Sequence, residues 1–167
     1  MRGARDRGGL LATVVGVETV GGLSAFAAGG DFVTFFQALP KPPGTPPPAV
    51  FGPVWGTLYL LMGIAAWLVW REGLTRQTAL ALGLFAAQLV LNFAWSLIFF
   101  RQHRLGAALL EIAVLWLAIL LTVVAFWRVR RPAGALLVPY LAWVSFAAYL
   151  NAGVWRLNGG LSTGAPA

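Results

Sequence analysis

Apolar residues fill five long stretches of this chain, and polar residues gather between them. The stretches run over residues 10–28, 50–70, 78–100, 105–127 and 133–155. A hydrocarbon core about 30 Å thick takes roughly 20 residues of helix, so each stretch predicts one transmembrane helix. Only 10% of the 167 residues are charged, and the chain reads as an all-α integral membrane protein, a five-transmembrane-helix bundle. The connections are short apart from 29–49. Sequential helices should therefore run antiparallel in one domain spanning 1–158, with no room for a soluble domain. The polar, Gly- and Pro-bearing end at 159–167 reads as a disordered tail. No internal repeat is evident, which argues against an inverted-repeat transporter.

Charge adds orientation. The net charge is +7, but the basic residues sit at helix ends and do not suggest nucleic acid as a partner. Arg2, Arg5, Arg7, Arg71, Arg76, Arg128, Arg130 and Arg131 fall on one side, against Lys41, Arg101, Arg104 and Arg156 on the other. The positive-inside rule then places the N-terminus inside; the sequence does not say in which membrane. Residues 2–27 can also be read as a cleaved signal peptide ending in Ala25-Phe26-Ala27. Glu18 and the Gly21-Gly22 pair interrupt its apolar region, so a retained first helix is expected. Cysteine is absent, which excludes disulfides and thiolate chemistry.

Candidate chemistry lies in the few polar residues within the spans. Glu18, Gln88, Asn92, Ser96, Glu111, Ser145 and Asn151 are costly in lipid and should face the bundle or a cavity. On the third span Gln88, Asn92, Trp95, Ser96 and Phe99 recur three and four apart, which sets amides and aromatics on one helix face. Tyr140, Trp143, Ala147, Leu150 and Asn151 do so on the fifth, and Trp55, Tyr59, Met62 and Ala66 on the second. Antiparallel alternation brings Trp55, Asn92, Trp95, Ser96, Glu111, Ala147 and Asn151 into one membrane half, with Trp143 near the middle. The Pro-rich segment 40–48 lies on that side, and its fixed φ angles and missing N–H donors suit a stiff cover. The expectation is a cavity in one leaflet beneath a Pro-rich lid.

Three ordered blocks carry a resemblance. They are Lys41-Pro42-x-x-Thr45-Pro46-Pro47-x-x-Val50-Phe51-Gly52-Pro53-Val54-Trp55-Gly56-Thr57-Leu58-Tyr59, then Gln88-Leu89-x-Leu91-Asn92-x-x-Trp95-Ser96-x-x-Phe99-Phe100, then Pro139-Tyr140-Leu141-x-Trp143-x-x-Phe146-Ala147-x-x-Leu150-Asn151-x-x-Val154-Trp155-Arg156. From about Gly21 to Asn158 the chain closely resembles the translocator protein family, also called TspO/MBR, tryptophan-rich sensory protein or peripheral-type benzodiazepine receptor.

The resemblance implies a five-helix bundle, often a homodimer, that binds porphyrins such as protoporphyrin IX, isoquinoline carboxamide and benzodiazepine drugs and, in animals, cholesterol. It implies a pocket under the first loop, placed here on Ala25, Val50, Phe51, Trp55, Asn92, Trp95, Ala107, Glu111, Tyr140, Trp143, Phe146, Ala147, Leu150 and Asn151. Some bacterial members degrade protoporphyrin in light, a chemistry that the resemblance would assign to Trp55 and Trp143. Enzyme status is left open between that photo-oxidation and a receptor or transporter acting in tetrapyrrole or stress regulation.

Departures are also visible. Gly44 and Ala49 stand where the family commonly has Trp, Phe35-Phe36 replaces a common Trp-Tyr pair, and Ala107 stands where animal members carry an aromatic. The weak sterol consensus needs a Tyr between Leu150 and Arg156 and finds none, so cholesterol is not an expected ligand.

Other readings stay open beside this one. Trp67, Trp70, Trp127 and Trp155 suit interfacial anchoring, and the two asparagines suit helix-to-helix hydrogen bonds. Glu111 can pair with Arg101, Arg104 or a buried amide. Arg101, Arg104, Lys41 and Arg156 ring the inferred mouth and would meet porphyrin propionates or cap helices. No metal site, hydrolytic triad or phosphate loop is apparent. Haem ligation is disfavoured, since His103 lies in a loop and only Met62 and Tyr140 remain as remote ligands, so porphyrin is expected as ligand and not as cofactor. The main rival is a proton-coupled exporter of flat hydrophobic compounds that uses Glu18 or Glu111, and a third reading is a scaffold binding a membrane partner on its surface.

Overall fold

The structure is a computed structural model describing residues 2–30 and 32–159, with backbone alone over 2–5. The expected disordered tail lies, apart from Gly159, outside the described residues. The described chain forms α1 (Arg2–Ala27), α2 (Phe32–Ala38), α3 (Pro48–Trp70), α4 (Arg76–Ser96), a π-helical turn (Leu97–Arg101), α5 (Leu105–Val129) and α6 (Arg131–Leu157). It contains no strand among these residues, and α1, α3, α4 with its π turn, α5 and α6 are each long and apolar enough to cross a membrane.

Local chemistry sets the boundaries. Pro48 opens α3 and Pro132 opens α6, positions where the missing N–H has no intrahelical partner to lose. Thr75 and Thr78 form a reciprocal cap at the start of α4, Thr78 N donating to Thr75 Oγ1 at 3.2 Å and Thr75 N donating to Thr78 Oγ1 at 2.8 Å. The long first connection, read from sequence as a loop throughout, contains the seven-residue α2. Its last carbonyls are satisfied by Lys41 Nζ, which donates to Phe36 O at 2.9 Å, Gln37 O at 2.9 Å and Leu39 O at 2.7 Å. Lys41 is thereby committed to the lid itself, not to the mouth of a cavity.

Around the bundle the order is α1, α3, α6, α5, α4, with α4 closing back on α1. Glycine permits the α1–α3 approach: a Cβ at Gly63 would meet the Val14 backbone at 2.7 Å, and one at Gly21 would run into the Tyr59 ring. Opposite the lid, Arg71 pairs with Asp6 at 2.9 Å and Arg130 with Glu72. Trp67 Nε1 donates to Asp6 O at 3.0 Å there, which ties α1 to α3.

Candidate functional site

The polar residues of the core form a chain across three helices. Tyr59 on α3 donates to Asn92 Oδ1 on α4 at 2.6 Å, Asn92 Nδ2 donates to Tyr140 Oη on α6 at 3.2 Å, and Tyr140 donates to Gln88 Oε1 at 2.9 Å. All four residues are buried. A second link joins Trp95 Nε1 to Asn151 Oδ1 at 3.1 Å, and Asn151 Nδ2 donates to Leu105 O at 3.0 Å. Apolar surroundings leave these groups no water, so each finds a protein partner.

Above this core, at the α2 end, lies a cavity of about 330 Å³, near the lower end of the roughly 300–1,000 Å³ range of small-molecule pockets. Helix α1 and the turn after it contribute a stripe at helical spacing, Glu18, Gly21, Gly22, Ala25 and Ala28, with Ser24 beside it. Phe32, Val33 and Phe36 come from α2; Pro48, Phe51, Gly52, Trp55, Gly56 and Tyr59 from α3. Trp95, Ser96, Phe99 and Phe100 come from α4 and the π turn, and Trp143, Ala147, Leu150, Asn151 and Val154 from α6. The π turn has a visible effect. Its wider i to i+5 winding, closed by Gln102 N donating to Leu97 O at 2.9 Å, lets the consecutive Phe99 and Phe100 both reach the cavity.

Aromatic rings pack around this space edge to face and in offset stacks. Trp55 stacks on Tyr59 at 5.5 Å and Trp95 on Phe99 at 5.1 Å, while Phe51 meets Trp143 edge-on at 5.8 Å. The Trp143 indole nitrogen is buried without an acceptor among the described residues.

The lid is strapped down from α6. Tyr149 donates to Pro43 O and Asn158 Nδ2 to Pro40 O, both at 3.1 Å, and Pro42 lies so close over Gly153 that a Cβ there would meet it at 2.5 Å. Gly44 turns the strap with φ of +81°, a conformation that glycine adopts without the steric cost a tryptophan would bear. Phe35 stacks on His103 at 3.8 Å and fixes the lid to the α4–α5 connection.

Of the residues assigned to the pocket from sequence, Ala25, Phe51, Trp55, Trp95, Trp143, Ala147, Leu150 and Asn151 line the cavity. Asn92 and Tyr140 lie behind its wall, where the hydrogen-bond chain uses them. Ala107 and Glu111 belong to α5, which contributes nothing to the lining because α4 and α6 stand in front of it. Neither oxygen of the buried Glu111 carboxyl has a hydrogen-bond partner among the described residues, so the expected pairing with Arg101, Arg104 or an amide is not made. Val50 faces outward, and Phe146 packs between Trp143 and Tyr149 at 5.7 and 6.2 Å. Sequence reasoning assigned Ala25 but not Glu18, Gly21, Gly22, Ser24 or Ala28, nor Phe32, Val33 and Phe36 of α2, to the wall. The spacing 18, 21, 22, 25, 28 was the available signal.

The model of the TspO/MBR family matches residues 10–156 of this chain. The chain belongs to that family. Human translocator protein is 44% identical over 133 residues, covering 78% of this chain and 79% of its own. The tryptophan-rich protein TspO of Chlorobaculum tepidum is 45% identical over 125 residues, 74% of this chain and 79% of its own. Protein CrtK of Rhodobacter capsulatus is 40% identical over 153 residues, 89% of this chain and 94% of its own. With its five long apolar helices, this TspO/MBR member is a multi-pass integral membrane protein.

Proposed function

We propose that this TspO/MBR member binds flat hydrophobic ligands, tetrapyrroles such as protoporphyrin IX foremost, in the cavity beneath α2, and serves tetrapyrrole or stress regulation or transport. One observation carries the reading: Phe36, Phe51, Trp55, Trp95, Phe99 and Trp143 together line the space. Such walls offer ring faces to a flat ligand. Trp143, which lines this space, buries an indole N–H that has no acceptor among the described residues. Arg101 and Arg104, exposed at the same end of the bundle, suit the acidic edge of a porphyrin. We further propose a homodimer through the outward face of α4, where Gly83, Ala86 and Ala87 are exposed and small side chains permit close helix approach. The N-terminus lies inside by charge bias.

A dark titration of the detergent-purified protein with protoporphyrin IX, read from the porphyrin absorption band, tests this. Saturable one-site binding that is lost in Ala147→Phe, which fills the cavity, supports the reading. Unsaturable binding, alike in both proteins, rules it out. Illumination of the saturated sample, compared with Trp55→Phe and Trp143→Phe, reports whether porphyrin is degraded.

A further inference from the structure

The cavity wall is apolar but for a few groups, and their hydrogen bonds leave one acceptor unmatched. Tyr59 gives its proton to Asn92, Ser24 gives its own to Val20 O at 2.9 Å, and Trp95 gives its N–H to Asn151. Glu18 brings the one carboxyl side chain of the wall, one turn from Gly21, whose Cα lies against the Tyr59 ring. Neither an ion pair nor a hydrogen bond reaches its carboxyl group from the described residues, and no lysine or arginine lines the cavity. A carboxylate within a transmembrane helix is costly unless something in a cavity answers it. On the α6 side stands the reverse case, the unpartnered N–H of Trp143.

From this arrangement we infer that the cavity selects flat aromatic ligands carrying a protonated nitrogen, with Glu18 as the group that receives it. The inference rests on the reading of the cavity as a ligand site and goes beyond it by giving that site a polarity. At the α1 wall a ligand meets an acceptor beside the stacked faces of Trp55 and Tyr59, a combination that favours a cationic N–H over an uncharged ring edge. An acidic group is turned away from the same wall. An amphiphilic tetrapyrrole would therefore sit with its carboxylates toward the mouth.

Two nearly isosteric dyes test the point. 9-Aminoacridine is protonated on its ring nitrogen at neutral pH, while 9-aminoanthracene carries C–H at that position and stays neutral. Each is titrated, by fluorescence in a nonionic detergent, into the full-length protein, Glu18→Gln and Glu111→Gln. The wild type and Glu111→Gln, whose carboxyl lies outside the cavity, should bind the cation about tenfold more tightly than the neutral dye, the scale of one charged hydrogen bond. Glu18→Gln should bring the two affinities to within about twofold by weakening the cation alone. Equal affinities in the wild type, or a preference that survives Glu18→Gln, overturn the assignment to Glu18. Saturable binding of the neutral dye in that case leaves the cavity standing as a ligand site. If neither dye nor protoporphyrin IX saturates, both readings fall. The comparison within the wild type does not depend on how any variant folds.

Discussion

Tyr59 and Asn92 meet at 2.6 Å between α3 and α4, and the same asparagine reaches Tyr140 on α6 with its other end. One side chain thus holds three helices at a depth where no water competes. Tyr59→Phe removes the proton and leaves a buried acceptor unmatched, with an expected loss of about 1–2 kcal/mol. Asn92→Ala cuts both links and should cost more. Unfolding of the reconstituted protein by SDS, followed by circular dichroism, measures both, and a Tyr59→Phe curve superimposed on the wild type would contradict the expectation.

At Gly63 of α3 the Val14 backbone of α1 comes close. A valine there must push the Val14 backbone away, and overpacking of this kind costs about 1–3 kcal/mol. Gly16→Ala on α1 adds its Cβ in open space and should be neutral or stabilising by up to about 1 kcal/mol through helix propensity. Thermal melts in one detergent compare the pair, and the two shifts should have opposite signs or differ by several degrees.

Lys41 collects three carbonyls at the end of α2. In Lys41→Met these lose a charged donor, so amide hydrogens of α2 should exchange about tenfold faster while those of α3 to α6 keep their protection. Lys41→Arg should restore part of the effect. Hydrogen exchange read by mass spectrometry over residues 32–47 decides it.

Trp143 and Trp155 both bury an indole nitrogen that has no partner among the described residues, but Trp143 alone of the two lines the cavity. Trp143→Phe should weaken protoporphyrin IX about fivefold, the worth of one hydrogen bond, without a large change in melting temperature. Trp155→Phe should leave the affinity unaltered. Parallel titrations give the comparison, and equal losses in both variants would deny the Trp143 nitrogen any contact with the ligand.

How much of this was legible beforehand depended on geometry that a sequence encodes unevenly. The five long helices followed from run length, and the face carrying Gln88, Asn92 and Trp95 followed from spacing, because amides inside a membrane span have to turn inward. Axial depth was readable too, since alternation of short loops fixes which helix ends share a side. Angular position was not. Glu111 lies at the expected level, but which neighbours shield α5 depends on the order of helices around the bundle, and no local pattern states that order. Helix α2 was missed because seven residues are too few to propagate a helix alone. It stands because Lys41 caps it and because Phe36 packs against Phe51 and Phe99. The π turn rests on a backbone register, and Glu18 was noticed as an anomaly but could not be placed without the cavity it faces.

Tyr149 and Asn158 fasten the strap over the cavity, and each of them grips a main-chain carbonyl. A carbonyl belongs to every amino acid, so these two bonds do not depend on the side chains of Pro40 and Pro43, whereas the Pro42–Gly153 and Phe35–His103 contacts do depend on theirs. Substitutions within the segment can then alter what a ligand meets at the mouth while the closure persists. The loop is free to diverge in chemistry at the positions those contacts do not use, on an attachment that does not change.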